Sequence, residues 1–302
     1  MKKSTGRQNR AADDATRAPA GESAPPAFPF PIVGVGASAG GMEAFIELLH
    51  RVPKDSGMAF VLVQHLDPTH ASYLSEAIAR ATTLPVEEAR DGMVVQPDHV
   101  YVIPSNADLG ILGGALSLLP RPSETRRPHL PIDFFLRALA KDRGSQAIGV
   151  ILSGTGADGS EGLRAIKAEG GVTFVQDPES AKFSGMPEAA IKTGAADFVR
   201  PIPELADELL QIGRHPFVRA HEGEVLSTPA DDVELRKVLI LLRGAGGVEF
   251  SEYKLTSVRR RVARRMAVHR MATLDEYVRL LREDPAEVHA LFDDLLIHVT
   301  SF

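Results

Sequence analysis

From Pro31 onward the chain alternates short β-branched runs with amphipathic stretches, and this rhythm limits the fold more than any other feature. Ile32 to Val35 is followed by helical spacing over Met42 to Leu49, and Ala59 to Val63 by helical spacing over His70 to Arg80. A strand covered on both faces reads as a continuous apolar run, whereas a surface helix repeats its apolar residues every three to four positions. Strands and helices in alternation build a parallel sheet wrapped by helices. The pattern continues with a strand at Val100 to Ile103 and a hairpin over Leu109 to Leu119, broken at Gly113-Gly114. A helix at Ile132 to Ala140 precedes strands at Ile148 to Leu152, Val172 to Gln176 and Asp197 to Val199. Helices at Glu161 to Ala168, Pro187 to Thr193 and Glu204 to Ile212 separate and close them. The fold class expected is α/β: a doubly wound, mostly parallel sheet with an antiparallel hairpin at one edge, followed by a small all-α domain.

Domain limits come from where the periodicity stops. Residues 1–29 are rich in Ala, Pro, Ser, Gly and charge without apolar periodicity, the composition of a disordered tail. Residues 30–213 form the α/β unit and 214–230, with His, Pro, Gly, Ser and Thr, a linker. Residues 231–302 read as all helical. Thr273-Leu-Asp-Glu276 and Asp284-Pro-Ala-Glu287 each place a capping side chain three residues before a carboxylate, and Pro285 suits a first helical turn.

Composition narrows the chemistry. The chain has 302 residues, of which 44% are hydrophobic, enough for one sizeable core and a smaller second one. It contains no cysteine, so thiolate chemistry and disulfides are excluded and a covalent nucleophile must be a hydroxyl, carboxylate or nitrogen. No apolar run approaches the roughly 18 residues a membrane helix needs. Met1-Lys2-Lys3 is followed by polar residues, unlike a signal peptide, so a cytoplasmic location is expected. A net charge of -6 argues against general nucleic-acid binding.

Three polar residues each follow an expected strand: Ser38, His65 and Asp158. In a parallel sheet all three fall at the carboxyl edge, where α/β proteins place their chemistry. A serine hydroxyl needs a base to take its proton, and the base needs an anion to hold its tautomer; these residues supply the three parts. Gly36-Ala37-Ser38-Ala39-Gly40 fits the G-x-S-x-G elbow between strand and helix, with the Ala39 N–H as one oxyanion donor and the glycine-rich Ser153 to Gly159 loop as the source of another. Gly34-Val-Gly-Ala-Ser-Ala39 equally matches a G-x-G-x-x-A dinucleotide fingerprint, with Asp67 near the ribose position. Local pattern alone leaves both readings open. Taken singly, His65 reads as a structural histidine and Asp158 as a helix cap.

The stretches Val33-Gly-Val-Gly-Ala-Ser-Ala-Gly-Gly41, Val63-Gln-His65, Val100-Tyr-Val-Ile-Pro104, Gly149-Val-Ile-Leu-Ser-Gly-Thr-Gly-Ala-Asp-Gly159 and Phe183-Ser-Gly-Met-Pro187 span the α/β unit. Through them residues 31 to about 212 resemble the catalytic domain of the chemotaxis protein-glutamate methylesterases. It implies hydrolysis of glutamate methyl esters, and deamidation of glutamines, on chemoreceptor helices, with neither cofactor nor metal. It assigns nucleophile, base and orienting acid to Ser38, His65 and Asp158, and the oxyanion and substrate loop to Ala39, Thr155, Gly156 and Met186. Ala39 stands where the family commonly has threonine, and Thr155 where methionine is frequent.

Residues 233 to 302 resemble the N-terminal helical part of chemotaxis receptor methyltransferases, through Val258-Arg-Arg-Arg-Val-Ala-Arg-Arg-Met266, Tyr277 and Leu295-Leu-Ile-His-Val-Thr-Ser-Phe302. The order resembles fused methylesterase and methyltransferase hybrids. Neither the S-adenosylmethionine-binding domain expected after this part nor the receiver domain expected before the esterase falls within the 302 residues, so neither methyl transfer nor control by phosphorylation is expected of this chain alone. Read from spacing, Leu255, Val258, Val262 and Met266 share one helix face and leave Arg260, Arg261 and Arg264 opposite. That cationic stripe is either a solvated face or a docking surface for acidic receptor helices.

Overall fold

The runs that lack polar alternation do so because both their faces are covered: every residue of Ile32–Ala37 (β1) is buried, as is all but the last of Ala59–Gln64 (β2). The computed structural model describes residues 30–64, 71–105, 107–120, 129–219, 226–246 and 254–296. After β1, Gly41–Leu49 (α1) leads to β2, and Ala71–Ala81 (α2) to Val86–Glu88 (β3) and Val100–Val102 (β4). Ala107–Leu112 (β5) and Ala115–Pro120 (β6) precede Pro131–Arg143 (α3) and Ala147–Ile151 (β7). Ser160–Ala168 (α4), Val172–Gln176 (β8), Gly185–Lys192 (α5), Phe198–Arg200 (β9) and Ile202–Arg214 (α6) complete the α/β unit. Pro216–Arg219 (α7), Pro229–Gly246 (α8), Leu255–Val268 (α9), Leu274–Glu283 (α10) and Pro285–Leu296 (α11) follow.

Seven strands form one sheet in the order β3-β4-β2-β1-β7-β8-β9, all neighbours parallel. The chain moves outward from β1 through β2, then returns to β7 on the other side. The reversal between β1 and β7 is the switch point at which such sheets open a crevice. Side chains alternate across the sheet. Val33, Val35, Ala37, Phe60 and Leu62 meet α1, α2 and α6, while Ile32, Val61 and Val63 meet α3, α4 and α5. The hairpin stands as its own two-stranded sheet, β5 with β6, packed on α3. The short strand β3 escapes pattern reading because Val86-Glu-Glu88 is polar and pairs on one side only. No helix among the described residues is long and apolar enough to cross a membrane.

The helical part has its own core, built from Leu235, Val238 and Leu242 of α8, Val258, Val262 and Met266 of α9, Tyr277 of α10 and Leu291 of α11. Both expected helix starts are present. Thr273 and Glu276 form a reciprocal capping box on α10. At α11, Asp284 accepts the Ala286 N–H (2.9 Å), but the Glu287 carboxylate turns inward instead of capping, accepting from Tyr277 Oη (2.7 Å) and from Arg265 Nε (2.8 Å).

The expectation of an exposed cationic stripe is corrected. Arg261 and Arg264 are 3% and 0% exposed and Arg260 is half-buried, because the face of α9 opposite its own core lies against the α/β unit. Ala263 and Ala267 of that face join the core shared by α6 and α7. Helical spacing identifies the face turned away from the local core; it does not reveal that a second domain covers it.

Candidate active site

Ser38 leaves β1 at the switch point. Its N–H donates to the Ser153 carbonyl (3.1 Å), and its own carbonyl accepts from the Gly41 N–H (2.9 Å) and from Gln64 Nε2 (3.4 Å). The turn requires a left-handed residue, supplied by Gly40 at φ 70°, and α1 starts directly behind it. Ser38 is half-buried and Ala39 exposed, the exposure a strand-to-helix elbow gives its apex. Its Cβ lies 2.9 Å from where a Cβ on Gly154 would stand, which puts the serine directly against the loop after β7.

That loop runs from Ser153 to Gly159. Thr155, Gly156 and Ala157 are exposed at its tip while Asp158 is 3% exposed. The Asp158 carboxylate accepts from the backbone N–H groups of Ile132 (3.0 Å) and Asp133 (2.8 Å), in the first turn of α3. Asp133 reciprocates: its Oδ1 accepts from Gly159 N–H (3.0 Å) and Gly162 N–H (2.7 Å), at the start of α4. Each acid therefore satisfies orphan donors of the other's helix, and both gain from the positive end of a helix dipole. Asp158 is thus a cap, but of α3 across the sheet edge rather than of the helix that follows it. Burial pushes the Asp133 carboxyl up; the Gly162 N–H opposes this and the neighbouring Asp158 charge adds to it.

Pattern reading missed Ser153, a hub. Its buried hydroxyl donates to the Ala39 carbonyl (2.9 Å) and accepts from the Phe183 N–H (3.0 Å), and its N–H donates to Gln176 Oε1 (2.9 Å). Three loops, after β1, after β7 and before α5, are thereby tied together. Sequence offers no signal for such a role, since each partner is distant along the chain. Met186 sits in the loop cluster, its N–H donating to the Gly154 carbonyl (2.9 Å) and its side chain fully buried beneath Gly154.

The structure places Ser38 and Ala39 at the turn after β1 and Thr155, Gly156 and Asp158 on the loop after β7; His65, and Asp67 of the dinucleotide reading, lie outside the described residues. The glycines of the Gly34-Val-Gly36 stretch are accounted for by packing. A Cβ on Gly34 would meet Leu136 at 2.7 Å, and one on Gly36 would meet Ile132 at 2.3 Å, so both let α3 approach the sheet rather than admit a pyrophosphate. Among the described residues, no group of three or more His, Cys, Asp or Glu is placed to hold a metal ion.

Comparison with known proteins agrees with this fold. The family model "CheB methylesterase" matches residues 33–209, and "CheR methyltransferase, all-alpha domain" matches residues 233–296. A protein-glutamate methylesterase/protein-glutamine glutaminase of Burkholderia thailandensis is 39% identical over 204 residues, 67% of this chain and 58% of that protein. An uncharacterized 104.1 kDa protein of Rhodobacter capsulatus is 35% identical over 249 residues, 76% of this chain and 26% of that protein. The chain therefore spans less than two thirds of the length of these relatives. The crystal structure of the Thermotoga maritima CheB methylesterase catalytic domain superposes with a TM-score of 0.57 at 32% identity, covering 61% of this chain and 98% of that one. With its switch-point serine, its loop after β7 and a family model matched over more than half its length, the chain belongs to the CheB methylesterase family, followed by a helical domain of CheR type.

Proposed function

We propose that this chain hydrolyses glutamate methyl esters on chemoreceptor helices in the cytoplasm, and deamidates glutamines there, with Ser38 as nucleophile, His65 as general base and Asp158 as the acid that orients His65. The observation that supports the proposal is the placement of Ser38 against Ser153 and Gly154, which open the loop that carries Asp158, at the sheet's switch point. The printed names of the relatives, protein-glutamate methylesterase/protein-glutamine glutaminase, supply the substrate.

Ser38 Oγ attacks the ester carbonyl while His65 accepts its proton. The Ala39 N–H and the backbone of Thr155 and Gly156 are the donors we assign to the oxygen that becomes negative, where fixed donors are worth most. Collapse expels methanol, protonated by His65, and leaves a glutamyl ester on Ser38; water activated by His65 then releases glutamate. With glutamine the leaving group is ammonia. Asp158, anchored by two backbone N–H groups, needs no reorganisation as the imidazole becomes cationic.

Methanol release from a methylated receptor fragment tests this. Ser38→Ala should lower kcat by about three to six orders of magnitude, as loss of a triad nucleophile does. Unchanged release in that variant would reject the assignment.

A further inference from the structure

The face of α9 that points away from the helical core carries polar and small residues with defined partners in the α/β unit. Arg261 donates to the Lys167 carbonyl (2.6 Å) and to the Ala168 carbonyl, the last carbonyls of α4. They belong to the last turn of α4, at its negative end, where the Lys167 carbonyl also accepts the Gly170 N–H (3.1 Å); a guanidinium adds hydrogen bonds there and complements the dipole. Arg264 donates through Nε to the Gly171 carbonyl (2.9 Å), through one terminal nitrogen to Asp197 (2.5 Å) and through the other to Asp294. Lys167 lies 3.6 Å from Asp197 and 3.5 Å from Asp294. Two cations and two anions, one of each from either domain, thus balance in a site from which solvent is almost excluded. Ala263 and Ala267 let α9 approach closely, and Arg270 pairs with Glu208 of α6 at the margin.

All these contacts lie at the amino-terminal edge of the sheet, before β8 and β9, whereas Ser38 is at the carboxyl edge. The helix α4 connects the two: it starts behind Asp158 and ends under Arg261, roughly 13 Å away at helical rise.

We propose that the arginine face of α9 is a docking surface for the chain's own esterase domain, which makes the helical unit a brace on α4 and leaves Arg261 and Arg264 unavailable to an acidic receptor. The balance of charge supports this partner. Each domain contributes an oppositely charged pair, Lys167 with Asp197 and Arg264 with Asp294, so within this group of four neither holds a lone buried charge, and joining them multiplies the contacts. The carbonyl caps from Arg261 are a second, charge-assisted bond that an exposed stripe would not make. The proposal is independent of the esterase reading and stands or falls without it.

The test uses the full chain with a protease site placed in residues 220–225, cut after folding and run on size exclusion at micromolar concentration. Wild-type pieces should travel as one particle in 0.1 M salt, a condition under which only buried pairs escape screening (about 10 Å Debye length). Arg261→Ala, which leaves the four-charge group intact, should weaken association by about tenfold to a hundredfold, the worth of charge-assisted bonds. Asp197→Asn, from the opposite side of the interface, should do the same should Arg261→Ala disturb the fold of α9. Wild-type pieces that separate in 0.1 M salt would overturn the proposal. So would variant pieces that stay together as tightly as wild type, or an uncut chain that binds a methylated receptor fragment tenfold more weakly once Arg261 is alanine.

Discussion

The two acids at the candidate site differ in how they are held and in what they do. Asp158 rests on the N–H groups of Ile132 and Asp133, while Asp133 holds Gly159 and Gly162, so the loop and α3 are braced in both directions. Replacing Asp133 with Ala strips two N–H groups of their acceptor in a buried setting, at a cost of about 1–3 kcal/mol. It also frees the backbone that carries Asp158, and a displacement of order 1 Å at a reacting group costs about a hundredfold in rate. Asn keeps an oxygen for both donors and removes a charge that burial disfavours, so Asp133→Asn should retain most stability and activity. Thermal unfolding and methanol release from the two variants check this; an alanine variant with wild-type kcat would show that the brace has no bearing on catalysis. Ser153 belongs to the same scale. Its alanine variant should lose roughly 1 kcal/mol for the hydroxyl's hydrogen bonds and a larger share of kcat, since it ties the Ala39 turn to the Phe183 segment.

Among the elements, β1 and α3 are the pair on which the site depends. Gly36 faces Ile132, the residue whose N–H binds Asp158, and a methyl group on Gly36 would come within 2.3 Å of the Ile132 side chain. Gly36→Ala should therefore push α3 off the sheet, cost about 1–3 kcal/mol by overpacking and lower kcat beyond what the lost stability explains. A circular-dichroism melt with parallel kinetics decides it: a variant with wild-type melting and turnover would mean that α3 relaxes without moving Asp158. Much at this scale was legible. Apolar runs such as Ile148 to Leu152 marked strands because burial on both faces leaves no room for polar alternation, and Thr273 to Glu276 marked a helix start because its hydrogen bonds are local. What escaped notice was set by distant neighbours. Ser153 owes its role to Ala39, Phe183 and Gln176, and Glu287, which reads as a capping partner, is drawn inward by Arg265 and Tyr277. The arginines of α9 misled for the same reason.

For the molecule as a whole, the polar groups buried in and beneath the helical domain make its stability depend on acid. Burial alone would raise the Glu287 carboxyl, yet hydrogen bonds from His269 and Arg265, the Arg265 charge and the Tyr277 hydroxyl hold it down at about 2, against 4.5 for a free glutamate. A depressed folded value stabilises the native state fully above the unfolded value, and that stabilisation drains away as pH falls from 4.5 towards 2. Its size is roughly 3 kcal/mol by linkage. Asp197, at the interface, is held down in the same sense: burial opposes it, but Arg264 and Lys167 win, so the domain contact weakens with acid as well. Glu287→Gln isolates the first effect from every other carboxylate in the chain, because glutamine resembles the protonated acid in shape and charge. Wild type should exceed this variant by roughly 3 kcal/mol near neutral pH, and the two should converge as pH approaches 2. Denaturant unfolding of both at a series of pH values measures the gap, and a gap that stays constant from neutrality to pH 2 would mean that the Glu287 charge is not what the network stabilises.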